Sequence, residues 1–250
     1  ELADLYTHRT LRDMADYLDT LSTDTAERPM PGQIPWYAGP VQALVIAGLY
    51  LINGLKYVFG AIAVVWVLDN LFGAAWVPHP PLWPILLGWV LIFSVPGRLL
   101  QATVGVRLLT AGVRPGTYRR GGPTHLRVWA ADRLLTFLRL DPVLGSPVTP
   151  LLFRLLGNRV GARTSLQSFP PVTGLLTVGD DVSVEPEVDL AGHWIDGDRF
   201  HVGTIDLSDG VRVGTRSLIT PDSTVGTDAE ILPGSLVDTS VPARQLWGGS

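Results

Sequence analysis

Cysteine is absent from the 250 residues, and lysine occurs once, as Lys56. Without thiols the chain has no disulfide framework, no thiolate nucleophile and no cysteine-ligated zinc. A formal charge of −4, with so little lysine, argues against a charge-driven nucleic-acid binder. Charge of either sign is missing over a long stretch, since residues 29–97 carry only Lys56 and Asp69. The remainder has an ordinary charge density, so the chain is not one uniform globular domain. An apolar fraction of 46% excludes disorder for most of it.

The charge that is present is segregated. Residues 1–28 sum to −4, residues 98–155 to +7 with nine arginines, and residues 156–250 to −7. A basic segment directly after an apolar block is the pattern of a cytoplasmic membrane flank. Residues 41–68 form an apolar stretch broken only by Lys56, and a second runs from Leu82 to about Leu100. Each is long enough to cross a bilayer at about 1.5 Å per residue. Residues 69–81 hold Gly73, Pro78, Pro80 and Pro81 and read as a turn, with Trp76 and Trp83 as interfacial anchors. The expectation is a transmembrane helix pair over residues 36–100 with both ends cytoplasmic, arginines following the second span and no base in the turn. A pair of buried helices in a soluble protein is the alternative. Lys56 reads as a residue snorkelling near an interface or, less often, as part of a polar pathway. A signal peptide is not expected, because the apolar block begins some forty residues in and lacks a basic lead.

The N-terminal stretch ELADLYTHRTLRDMADYLDTL (1–21) places leucines at helical spacing, with Thr10 as a candidate N-cap and a helix to about Ser22. One helix does not form a core alone. Residues 23–35 follow as a linker containing Pro29, Pro31, Gly32 and Pro35.

Counting by sixes from Leu207 gives Val213, Ile219, Val225, Ile231 and Val237. Small residues recur four places on, at Ser217, Ser223, Ala229 and Ser235. This hexad register predicts a parallel β-helix in its left-handed form, three hexads to a triangular coil, aliphatics inward and small residues at the corners. A second run, Val178, Val184 and Leu190, stands in another phase, with a proline loop at 168–174 before it. The register breaks between Leu190 and Leu207, and a break in a solenoid marks an extruded loop. That loop, GHWIDGDRFH (192–201), carries two of the five histidines. His193 is expected as a general base, since imidazole titrates near neutrality, and the resemblance of such a loop to those of left-handed β-helix acyltransferases implies that the reaction is an acyl transfer. Asp196, Asp198 and His201 are expected to bind a cationic substrate, although Asp196-Gly197-Asp198 also reads as plain turn chemistry. No metal site is expected, the His-x₇-His spacing being weak for one.

These parts, with the tail VPARQLWGGS (241–250), resemble the C-terminal region of membrane-bound nonribosomal peptide synthetases that make homopoly(amino acids), of the ε-poly-L-lysine synthetase kind. Residues 1–21 look like the closing loop and helix of a peptidyl carrier domain. RPGTYRRGGPTHLRVWAADRLL (114–135) looks like the segment joining membrane helices to a soluble domain. FRLLGNRVGARTSL (153–166) looks like the start of that domain's solenoid, and residues 192–205 like its histidine loop. The resemblance implies a carrier end (1–22), a linker (23–35), a first membrane helix pair (36–100), an Arg-rich helical connector (101–155) and an acyltransferase-like β-helix (156–250). It implies phosphopantetheine on a carrier serine upstream, ATP used by an upstream adenylation domain, and a carrier-bound aminoacyl or peptidyl thioester as substrate. It further implies membrane lipid, the synthetase's other domains and a second copy of the chain as partners. Amide or isopeptide bond formation is the implied chemistry. Two alternatives are a stand-alone hexapeptide acyltransferase using coenzyme A and a non-catalytic scaffold copy within the synthetase.

Overall fold

A computed structural model describes residues 34–73 and 81–249, together with 10, 12, 13, 16 and 17. Residues 1–33 form one unit and residues 34–250 another. In the first, the Asp13 N–H donates to Thr10 Oγ1 at 3.2 Å, the N-cap bond expected there. Most of the expected carrier helix, most of the linker and residues 74–80 of the turn lie outside the described residues.

The second unit begins with α1 (Ala38–Phe72), 35 residues without proline between Pro40 and its end. It is the one described helix long and apolar enough by itself to cross a membrane. The second apolar stretch differs from expectation. It is not a continuous span but two helices, α2 (Leu82–Phe93) and α3 (Val95–Thr110), meeting at a 64° bend. Ser94 leaves helical geometry and accepts the Gly97 N–H at 3.1 Å, which caps α3, and Pro96 has no N–H to continue α2. Gly97 permits the close turn, because a Cβ there would collide with the Val90 carbonyl. The 12 residues of α2 span only about 18 Å. Phe59 of α1 lies directly on Gly88 of α2, fixing the hairpin's contact.

The connector contains β1 (Gly116–Arg119), α4 (Pro123–Phe137), a 3₁₀ turn (Asp141–Val143) and α5 (Thr149–Leu155). Its core is Ala102, Val106, Val128, Ala131, Leu135 and Leu152, all buried. Several of its arginines bind backbone carbonyls. Arg107 donates to Leu155 O at 2.8 Å, Arg127 to Leu109 O at 2.8 Å, and Arg154 to Gly161 O at 2.7 Å. Two of these carbonyls belong to helix ends, which lack intrahelical partners, and all three bonds join separate elements.

The remaining strands coil into a parallel β-helix with three faces. One face stacks β2 (Arg159–Val160), β4 (Leu176–Val178), β9 (Ile205–Leu207), β12 (Ser223–Val225) and β15 (Ser240–Val241). The second stacks β3 (Ser165–Leu166), β5 (Ser183–Val184), β10 (Arg212–Val213), β13 (Glu230–Ile231) and β16 (Leu246–Trp247). The third holds β6 (Asp189–Leu190), β11 (Leu218–Ile219) and β14 (Leu236–Val237). Leu207 pairs with Val225, Val213 with Ile231 and Ile219 with Val237, one coil apart. All six aliphatics of the hexad register are at most 1% exposed. The corner serines are buried and satisfied, with Ser217 and Ser235 donating to Leu232 O and Ser223 to Val237 O.

Most hexads turn three residues after their inward aliphatic, at a position of positive φ: Arg163, Asp181, Glu187, Gly210, Arg216, Asp222, Asp228, Gly234 and Arg244. Only two are glycine. Aspartate tolerates this region better than most residues, because its short side chain bonds local backbone.

Candidate functional site

The register break has a simple origin. Ile219 to Val225 takes six residues between the third and first faces, whereas Leu190 to Leu207 takes seventeen for the same corner. The surplus forms a hairpin, β7 (His193–Asp196) and β8 (Arg199–Val202), joined by Gly197-Asp198. Gly197 has φ 55°, which a two-residue turn with glycine first requires. The hairpin is therefore not the open loop expected. β1 of the connector adds to β8 antiparallel, giving a three-stranded sheet in the order β1-β8-β7. Arg120 clamps the tip, its N–H donating to Asp198 O at 2.8 Å and its guanidinium to Gly197 O at 3.1 Å.

Pairing decides which side chains share a face. His193 opposes Val202 and Ile195 opposes Phe200, while Trp194 opposes His201 and Asp196 opposes Arg199. Side chains alternate along a strand. His193 and His201 therefore lie on opposite faces and do not form one site. Asp196 and Asp198 sit at the tip, Asp196 about 10 Å along the strand from His193 and flanked by Arg199. The four predicted site residues do not converge.

The inner face meets the connector. Phe200 is 1% exposed and sandwiched between two imidazoles, with ring centroids 4.7 Å from His125 and 5.1 Å from His193. The Gly121 N–H donates to His125 Nδ1 at 2.9 Å, which leaves the proton of the neutral ring on Nε2. Burial lowers the pKa of His125, helped by His193 and Arg120. Burial also lowers His193, against an upward pull from Asp132 of α4 and Asp189 of β6. The Asp189 carboxyl is shielded more than the exposure of the whole residue implies, and its pKa is raised. Both histidines are thus neutral near pH 7 and start from an ordinary value of 6.5. Folded, they bind fewer protons than the unfolded chain just below 6.5. Their contribution to stability is full above that pH and falls as the pH drops through it. Asp189 opposes this from the carboxylate range upward. Amide exchange in α4 and the hairpin, corrected for intrinsic rates, is expected to accelerate between about pH 7 and pH 5.5. Less acceleration in His125→Gln would assign the effect, and slower exchange on acidification would contradict it.

The outer face carries Thr117, Trp194 and His201. His201 Nε2 lies 2.7 Å from Asp222 Oδ2, and Nδ1 lies 3.1 Å from Thr117 Oγ1. Asp222 is the positive-φ corner residue of its hexad, and its other oxygen accepts the Thr204 N–H at 3.1 Å. With the carboxylate accepting from Nε2–H, Nδ1 is left as the lone-pair nitrogen facing a hydroxyl. Hydroxyl, imidazole and carboxylate in series form an arrangement that accepts a proton at one end and stabilises the resulting cation at the other. His201 is 26% exposed at its side chain and Trp194 49% overall, so this face is open to a substrate. Sequence reasoning missed Thr117 and Asp222. Thr117 lies 84 residues from His201, and Asp222 occupies a corner where an aspartate has a sufficient structural reason. No group of three or more His, Asp or Glu among the described residues is placed to hold a metal.

No family model matches the sequence. Over 229 residues, 90% of the chain, it is 26% identical to the delta-poly-L-ornithine synthetase of Acinetobacter baumannii (strain AB307-0294). The chain spans 17% of that protein's length. Among solved structures it is similar to a hexapeptide-repeat acetyltransferase of Vibrio cholerae, at 21% identity and a TM-score of 0.33 over 44% of this chain and 82% of that one. It is also similar to the serine acetyltransferase of soybean, at 19% identity and a TM-score of 0.33 over 88% of this chain and 97% of that one. The assignment of the parallel β-helix rests on the strand register above. The chain is thus weakly related to a poly-ornithine synthetase and contains a hexapeptide-repeat solenoid.

Proposed function

We propose that this chain is part of a membrane-bound nonribosomal peptide synthetase, and that its solenoid takes part in amide formation from a carrier-bound aminoacyl thioester. The observation that carries the proposal is the hydroxyl–imidazole–carboxylate series across β1, β8 and the Asp222 corner, in a chain related to a poly-ornithine synthetase. In this reading residues 1–22 end a carrier domain, residues 23–35 link it on, residues 36–100 insert in the membrane with both ends cytoplasmic, and residues 101–155 connect them to a left-handed β-helix over residues 156–250. Phosphopantetheine is the arm of the substrate, attached to a serine upstream, and ATP is consumed by an upstream adenylation domain. The chain works with the other domains of the synthetase and with a second copy of itself.

The bond-forming step follows. The acceptor amine attacks the thioester carbonyl, the C–N bond forms and the C–S bond breaks. The amine's surplus proton passes to His201 Nδ1 and then to the departing thiol. Asp222 holds the ring in the required tautomer and stabilises the imidazolium. Thr117 marks the direction from which the proton arrives, and Trp194, on the other side of His201, is an apolar wall for the pantetheine arm. The net −7 of residues 156–250 favours a cationic acceptor near this surface. Asp196 and Asp198 are placed to meet the acceptor only at the hairpin tip, before it reaches the imidazole.

His193 as the base is the second reading, favoured by its depressed pKa and by the two carboxylates that act on it. A single-turnover assay tests the proposal. The synthetase's carrier is loaded with a labelled amino acid, and free amine is added without ATP. Loss of thioester matched by amide is expected. Hydrolysis to free amino acid, or amide formed only when coenzyme A is added, would contradict it.

A further inference from the structure

A cavity of about 690 Å³ opens between α1, the α2–α3 bend and the end of α4, away from both histidine faces. Four cations line it: Lys56, Arg98, Arg133 and Arg139. Among the described residues no carboxylate lines it. Asp132 pairs with Arg133 at 2.6 Å from outside. Lys56 Nζ sits 5.9 Å from the centre of the Phe137 ring. Arg98 donates from one nitrogen to Leu138 O at 3.3 Å and Arg139 O at 3.1 Å, and its Nε is buried without a hydrogen-bond partner. Arg133 is thus matched by an acid, and the charges of Lys56, Arg98 and Arg139, collected without one among the described residues, call for an anion.

The surroundings say which kind. Ile52 and Ile92 form apolar walls, and from Lys56 onward α1 continues for about 25 Å as an exposed apolar rod. Val58, Val64, Leu71 and Phe72 are each more than half exposed. Uncovered apolar surface of this extent marks a partner or a membrane. The rod's length is close to that of a bilayer's hydrocarbon core. Lys56 and the three arginines stand together where the apolar rod meets the Arg-rich connector, the level of lipid headgroups. A free phosphate would use the cations and leave the apolar walls idle.

The geometry points to a binding site for an anionic phospholipid, its phosphate among Lys56, Arg98 and Arg139 and its acyl chains along α1 and α2. This rests on the membrane insertion proposed above. The lipid ties the end of α4 to the apolar hairpin and so sets the height of the solenoid over the bilayer.

The test uses the full synthetase, purified in detergent, with bound lipid counted by native mass spectrometry. Phosphatidylglycerol and phosphatidylcholine are offered as probes. Preferential retention of phosphatidylglycerol is expected, reduced about twenty-five-fold in Lys56→Gln/Arg139→Gln at roughly fivefold per cation. Lys56→Arg, which keeps the charge, and Arg212→Gln on the exposed solenoid surface should bind as wild type. Equal retention of the two lipids, no change in the double variant, or full displacement by inorganic phosphate would overturn the site. A carbonate wash of native membranes is read separately. Release of the protein there refutes membrane insertion itself, whereas an integral protein without lipid preference refutes only the lipid site.

Discussion

Truncating Phe200 to alanine is expected to lower stability by about 3–5 kcal/mol and to free the hairpin from the connector. Phe200 is among the largest fully buried side chains, packed with Val202, Val128 and Leu135 in the connector core. It is also the contact between the His125 and His193 rings. Its removal leaves a ring-sized void in a place with little freedom to close, because β8 is held on both edges, by β1 and β7. At about 2–4 °C per kcal/mol the melting temperature should fall by roughly 10 °C. Exchange of the β1, β7 and β8 amides should rise before that of the coil. A loss below about 1 kcal/mol, typical of an ordinary surface substitution, would show that the hairpin is not anchored through this residue.

The second large effect concerns chemistry. His201→Ala should cut transfer from the loaded carrier by about 10²–10⁴, the usual worth of a positioned base, with amino-acid activation unchanged. Asp222→Asn should cut it by about a hundredfold, because an amide nitrogen beside Nε2 permits the reversed tautomer and turns the proton on Nδ1 against the incoming amine. Asp222 also accepts the Thr204 N–H, which an asparagine carbonyl can still do, so the asparagine variant should keep the fold. A transfer defect without a melting defect separates the proton role from the structural one.

The solenoid was legible because its signal is periodic. Six aliphatics at a spacing of six mean one thing, and Leu207 through Val237 point inward as that period requires. The apolar helix α1 was legible for a similar reason, as a long run with one charge. What failed was local. Pro96 was the one mark of the 64° break, since a proline inside an apolar run ends or kinks a helix, but the flanks on either side are equally apolar and hide it. The hairpin was recognised as an interruption but not as a strand pair. Its third strand, β1, comes from a segment whose arginines dominate any sequence reading. The choice between His193 and His201 was not legible at all. It depends on which face of a ten-residue hairpin meets the connector, and so on the pairing of β1 with β8. The electrostatic pattern was half legible. The arginines of residues 98–155 do follow the apolar block, but Arg107, Arg127 and Arg154 serve carbonyls of the connector.

The base is best identified by measuring single-turnover transfer in His193→Ala and His201→Ala side by side, with carriers loaded to the same extent. Placement of the base on the outer face predicts that His201→Ala holds its thioester while His193→Ala still passes it to the amine, slowed by no more than the loss of packing against Phe200. A thioester that persists in His193→Ala and turns over normally in His201→Ala would put the base on the inner face and contradict the assignment.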